Sequence, residues 1–332
     1  MSPTDTTTAR QGGHARAIAM LLLANLFWGL SFPTIKAMTL ELARLAPGSG
    51  SAFITAMSVA PRMLMAAAVL LVLQARGLGR TTALELRQGV QLGLFAAGGM
   101  MLQNDGLQFT AASTSAFLTQ FYAILIPVYL AVRRRRNPGA LVWICCALVM
   151  AGSAILGRFD WLELRLGRGE LETLASSLFF MGQILTLEQP RFLGNRPERI
   201  TLVLFATEAL VFAVMGVATT PSAAALVLPW SSAPLLLFNG LLTVFCTLGA
   251  FLLMNTWQPK ISATEAGLIY CVEPIFGSLM ALALPALFSR IATISYANET
   301  LTWSLLVGGA LITAANVLLQ LAPRFRSAAA VA

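Results

Sequence analysis

Within "QPKISATEAGLIYCVEPIF", residues 258–276, a carboxylate, Glu273, stands beside Pro274 in an otherwise apolar run. An ionised carboxylate facing lipid costs several kcal/mol, so such a group faces protein, pairs, or stays protonated. Pro274 removes one backbone donor and crowds a preceding carbonyl; the freed polar backbone needs partners and tends to bend a helix around a cavity. Two chemistries fit the pair: a proton taken up and released by Glu273, or a plain hydrogen bond to a neighbouring helix. Tyr270 is three residues earlier and shares the same helix face.

The remaining reactive side chains exclude more than they suggest. Cys145, Cys146, Cys246 and Cys271 lie inside apolar runs without ligand-like spacing, so neither a metal site nor a disulfide framework is expected. The single histidine, His14, lies in a polar tail, which leaves no material for a His-based triad or metal centre. No catalytic residue is assigned, and the chain is read as not being an enzyme. An intramembrane enzyme would need clustered nucleophile and base groups, whereas Glu208 and Glu273 fall in separate runs. There is no G-x-x-x-x-G-K-[ST] stretch, so no ATP hydrolysis and no cofactor are expected. The glycines of "GVQLG" (89–93), "AAGGM" (96–100) and "GGA" (308–310) are read as devices for close helix packing.

What positions these residues is a membrane. The 332 residues are 57% hydrophobic and 11% charged, with too little polar surface to clothe a water-soluble globule. Apolar runs of membrane-spanning length predict helices near 17–39, 55–75, 88–108, 112–132, 139–157, 170–188, 199–218, 234–257, 261–285 and 301–321. The runs are continuous rather than alternating, which argues against a spanning barrel. The first run has no A-x-A cleavage site and is read as an uncleaved span.

A net charge of +8 would suit a nucleic-acid binder in a polar chain. Here the basic residues mark one side of the bilayer, and no nucleic-acid partner is expected. With the N-terminus inside, Arg10, Arg16, Arg76, Arg80, Arg87, Arg133 to Arg136, Arg191, Arg196, Arg199, Lys260, Arg324 and Arg326 are cytoplasmic. Only Arg44, Arg158, Arg165, Arg168 and Arg290 fall opposite. Both termini are therefore expected in the cytoplasm, and the location expected is a bacterial inner (plasma) membrane.

The polar break "GRFDWLELRLGRG" (157–169) divides ten spans into five and five, and an odd number forces the halves to enter the membrane in opposite senses. Weak internal likeness, "LANLFWG" (23–29) with "LASSLFFMG" (174–182) and "TSAFL" (114–118) with "TEAGL" (264–268), supports an inverted repeat. The fold expected is an all-α integral membrane protein of ten transmembrane helices in two inverted five-helix repeats. Its division is a tail (1–16), a first repeat (17–158), an outer linker (159–169), a second repeat (170–322) and a tail (323–332). Such a pair can expose a midplane site alternately to either side, which makes transport the leading class.

Three stretches, in order, carry a resemblance: "ANLFWGLSFPTIK" in the first span, "LQNDGLQFTAASTSAFLTQFYAILIPVY" in spans 3 and 4, and "TLGAFLLMNTWQPKISATEAGLIYCVEPIFGSLMALAL" across spans 8 and 9. The chain resembles the EamA-type transporters of the drug/metabolite transporter superfamily. It departs from them in an enlarged loop, "PALFSRIATISYAN", before Glu299 and in "RRRR" (133–136). The resemblance implies a central cavity lined by spans 1, 3, 4, 6, 8 and 9. It makes Asn25, Trp28, Ser31, Lys36, Gln103, Gln120, Tyr122, Gln183, Asn255, Trp257 and Tyr270 the candidate substrate contacts, with Glu273 the proton-coupling candidate. For each, an interhelical hydrogen bond or interfacial aromatic is the competing reading. Arg62 and Glu208 are expected at the flanks as a hydrogen-bonded or ionic pair, and Asp105 at a solvated rim. The expected activity is export of small organic solutes by alternating access. The alternative is a membrane sensor that binds a solute without flux.

Overall fold

The computed structural model describes residues 3–110, 112–156 and 167–321; the outer linker and the C-terminal tail of the expected division fall largely outside these. The described residues are helical, with no strand among them. Helix α1 runs Pro3–Leu45, α2 Ser51–Gln74, α3 Ala83–Gly106, α4 Ala112–Thr119, α5 Tyr122–Arg134 and α6 Ala140–Leu156. Then follow α7, Arg168–Leu187, α8, Pro197–Thr219, α9, Leu228–Ser231, and α10, Ala233–Leu241, which continues through a π-helical stretch, Leu242–Gly249, into α11, Ala250–Trp257. The chain ends in α12, Ala263–Tyr270, α13, Glu273–Ala281, α14, Leu284–Ala292, and α15, Trp303–Leu321.

Four helical segments among the described residues are long and apolar enough to cross a bilayer: Gly13–Leu45, Ser51–Gln74, Pro197–Thr219 and Ala233–Lys260. A fifth is the bent pair Ala263–Ala281 and Leu284–Ala292, with 60° between its parts. The part beyond the bend belongs to the stretch expected as an enlarged loop. Helix α14 instead folds back on α1 and α13, and Phe288 packs on Phe238 of α10 with ring centroids 5.2 Å apart.

Packing follows the small residues. Helix α3 lies between α7 and α8, α2 lies along α8, and α6 lies along α15. At Gly89 and Gly93, added Cβ atoms would sit 2.4 Å from Val203 Cβ and 2.6 Å from Thr207 Cβ, so α3 and α8 approach as only glycine permits. Gly29 does the same for α1 and α13: a Cβ there would lie 2.6 Å from Phe276 Cβ and 2.9 Å from the Gly277 nitrogen. This contact sets Trp28 and Ser31 beside the start of α13.

Two helices are interrupted at matching places. Helix α4 gives way to α5 at Gln120 and Phe121, and α12 to α13 at Cys271 and Val272. Both turns use short-range bonds: Phe121 N donates to Leu118 O at 3.2 Å, and Cys271 N to Leu268 O at 3.2 Å. In the second turn Pro274 occupies the first turn of α13, where its missing N–H leaves no bond unmade. The first turn, at Gln120 and Phe121, has no proline.

Call proximal the end of the bundle where α1 begins, and distal the end where α1 finishes. At the proximal end Thr82 and Glu85 form a capping box on α3, and Glu85 also accepts from Arg196 Nε at 2.7 Å. The Arg196 side chain holds the Glu85 carboxyl at about 2. At the distal end Arg168 bonds both Asp105 and Glu172 and lies over the Phe109 ring. Asp105 is thus buried and ion-paired, not solvated as expected from sequence.

Candidate functional site

Between the broken helices lies a cavity of about 770 Å³, including the part open to solvent. Trp28, Ser31 and Ile35 of α1, Met100, Gln103 and Asn104 of α3, and Thr119 and Tyr122 beside the first interruption line one part of it. Phe180, Gln183 and Ile184 of α7, Phe251 and Met254 of α11, and Tyr270 and Glu273 beside the second interruption line the rest. Cys246 and Thr247 of the π-helical stretch and Arg62 of α2 complete it.

Six of the expected contact residues therefore meet in one place: Trp28, Ser31, Gln103, Tyr122, Gln183 and Tyr270, together with Glu273. The ring of Trp28 packs edge-on against Phe251 at 5.7 Å and Tyr270 at 5.5 Å, making an aromatic wall. Gln103 Nε2 donates to Thr119 Oγ1 at 3.0 Å, which ties α3 to α4 and keeps its amide at the cavity edge. Glu273 stands at the start of α13 and makes no hydrogen bond among the described residues, so its carboxyl faces the cavity without a protein partner.

Five expected contacts are elsewhere. Asn25 is buried and donates to Leu21 O at 2.8 Å. Gln120 accepts from the Tyr122 hydroxyl at 2.8 Å, and Asn255 donates to Thr201 Oγ1 at 2.8 Å. Trp257 stacks at the proximal end under Lys260 Nζ, 3.5 Å from its centroid, with Arg16 at 5.1 Å. Lys36 is half-buried outside the lining. Of these, Asn255 makes a helix–helix bond and Trp257 an aromatic contact at the bundle end, the competing readings for those two positions.

Arg62 departs from its expected place. It is 4% exposed, lines the cavity rather than a flank, and has no carboxylate within ion-pair distance among the described residues. Glu208, wholly buried on α8, has no hydrogen-bond partner for either oxygen, so the expected Arg62–Glu208 bond is not formed. Glu208 and Glu273 likewise make no bond to each other among the described residues, and only Glu273 lines the cavity.

A buried hydrogen-bonded link lies on the proximal side of the cavity. Gln258, 1% exposed, donates from Nε2 to Ile184 O at 2.8 Å and accepts from the Tyr270 hydroxyl at 2.9 Å. This joins the end of α11 to α7 and α12 directly beneath two cavity-lining residues. Gln108 lies 150 positions earlier, at the offset that aligns "TSAFL" with "TEAGL". Its Nε2 donates to Ser51 O at 3.1 Å and Thr55 Oγ1 at 3.0 Å, both on α2, and it makes no bond to α1.

Residues 15–158 match the EamA-like transporter family. A protein of Archaeoglobus fulgidus described as an uncharacterized transporter is 22% identical over 272 residues, which is 80% of this chain and 77% of the relative. A solved crystal structure shares the fold with a TM-score of 0.67 at 19% identity, over 94% of this chain and 98% of the other.

Proposed function

From a chain that carries an EamA-like transporter domain in residues 15–158 and is homologous to membrane transporters, we propose a secondary carrier that moves small organic solutes across the membrane by alternating access. Its ten spans form two inverted five-helix repeats, residues 17–158 and 170–322. The termini face the cytoplasm, the solute leaves the cell, and a proton enters through Glu273.

The observation that carries this reading is the pairing of contacts between the halves. Where α1 packs on α13, the π-helical stretch and α11, α7 packs on α4, α5 and α3. Helix α3 packs on α8 as the π-helical stretch packs on α2, while α2 with α8 and α6 with α15 are each other's counterparts. A twofold axis in the membrane plane would generate this set, and the cavity with its two interrupted helices lies where that axis would pass.

Among the pairs that depart from the symmetry, one concerns the two ends of the cavity. Helix α7 packs on α12 at the proximal end, whereas α1, its counterpart, is not among the principal neighbours of α4 at the distal end. Gln258 makes the proximal closure, and Gln108 is not yet so engaged. We read this as the state closed toward the cytoplasm. In the opposite state Gln258 releases Ile184 O, and Gln108 turns from α2 to the α1 backbone near Ser31.

Reconstituted vesicles with an imposed pH gradient test the proposal. Accumulation of a candidate solute that collapses with the gradient, and loses its pH dependence in Glu273→Gln, is expected. Saturable binding with no flux under any gradient would sink the transport reading and favour a sensor. Flux in Glu273→Gln with unchanged pH dependence would sink proton coupling alone.

A further inference from the structure

We propose that Arg62 makes the cavity an anion-recognition site, so that the solute accepted carries a carboxylate or an equivalent oxyanion; this rests on the reading of the cavity as the transport site. The guanidinium lines the cavity, and its single hydrogen bond among the described residues is from Nη2 to Met100 Sδ at 3.3 Å, a weak acceptor. Its Nε is buried with no partner.

A cation this deep among apolar spans is retained where something of opposite charge compensates it. The carboxyl of Glu208 makes no ion pair or hydrogen bond among the described residues, so it does not occupy the guanidinium. Two further lining groups are buried and unpartnered, Gln183 Nε2 on α7 and Thr247 Oγ1 in the π-helical stretch, and both can donate. Three residues that line this one cavity, from α2, α7 and the π-helical stretch, each hold a buried donor without a partner, and an oxyanion is the ligand class such donors accept. The rings of Trp28, Phe180 and Phe251 offer the body of such a solute an apolar wall.

The test uses full-length protein in lipid nanodiscs and three probes of one skeleton: phenylacetate, phenylacetamide and phenethylamine. By equilibrium binding, phenylacetate is expected to bind at least about tenfold more tightly than the other two, the discrimination of a site whose buried donors need the anion. Arg62→Gln removes this preference, Arg62→Lys retains part of it, and Glu208→Gln retains it. Equal binding of acid and amide, no saturable binding of any probe, or an undiminished preference in Arg62→Gln would overturn the proposal. The wild-type comparison needs no variant, so a misfolded Arg62→Gln leaves it decisive. Arg62-dependent binding of phenylacetate without flux would refute transport and leave the anion site standing. Indiscriminate flux of amide and amine would do the reverse.

Discussion

The interruption between α12 and α13 and the one between α4 and α5 occupy corresponding places in the two halves, yet only the first carries chemistry. Glu273 and Pro274 follow the α12–α13 break, the one that carries the chemistry, while Ala123 and Ile124 stand at the same offset after the α4–α5 break. The glutamines differ as well: Gln258 bridges helices beneath the cavity, whereas Gln108 is bonded to α2. Equivalent backbones with unequal side chains suggest a shared hinge in which the second half adds the ionisable group. Unequal bonding of equivalent glutamines suggests that one gate is closed while the other waits.

The largest effect expected from breaking this comparison is at the closed gate. Gln258→Leu leaves the Ile184 carbonyl and the Tyr270 hydroxyl without partners, and net flux in vesicles should fall by about tenfold or more. Gln108→Leu should lower flux comparably if it closes the other gate, while lowering the melting temperature less, because its present partners lie near the distal rim. Unimpaired flux in both variants would make the glutamines structural.

The hinge glycines sharpen the comparison. Gly29→Ala meets Phe276 Cβ and the Gly277 backbone, which cannot yield without separating α1 from α13; it should destabilise by about 1–3 kcal/mol. Its counterpart Gly182→Ala meets the ring edge of Phe95, which can rotate, and should cost less. Thermal unfolding of the two variants in one detergent reverses or confirms that order.

The smallest effect concerns the proximal ion pair. Glu85 titrates at about 2 in the folded chain, chiefly through the Arg196 hydrogen bond, against 4.5 for the free group. The depressed value means that its stabilisation is full above 4.5 and fades as the pH falls toward 2. Glu85→Gln should therefore melt below the wild type at pH 7 and converge with it in acid. A gap that persists undiminished below pH 2 would assign the effect to packing instead of charge.

Much of this was legible from residue type. The helices follow the apolar runs, and Glu273 stood out as a carboxylate within one; Trp28, Ser31, Gln103, Tyr122, Gln183 and Tyr270 were singled out on spans that the family resemblance places around a cavity, and they line one here. Asn25, Gln120 and Asn255 have the same character but bond elsewhere, Asn25 to Leu21 O of its own helix, Gln120 to the Tyr122 hydroxyl two residues on and Asn255 to Thr201 of α8, a choice that depends on rotation about the helix axis and not on composition. Cys246 and Thr247 were hidden by the π-helical stretch, which shifts the phase of a 3.6-residue pattern. Arg62 was missed because α2 was assigned to a flank, although a deep arginine without a sequence-adjacent carboxylate was itself a signal. The break at Pro274 was announced by its proline, whereas the break at Gln120 had no local mark.

The central claim is that closure passes from one end of the bundle to the other. Spin labels at positions 40 and 109 would report the distal gap between α1 and the α3–α4 corner, and labels at 189 and 260 the proximal gap between α7 and the α11–α12 corner. Measured by pulsed electron resonance in nanodiscs as solute and pH are varied, the first distance should shorten whenever the second lengthens. Two distances that stay fixed, or that grow and shrink together, would contradict alternating access.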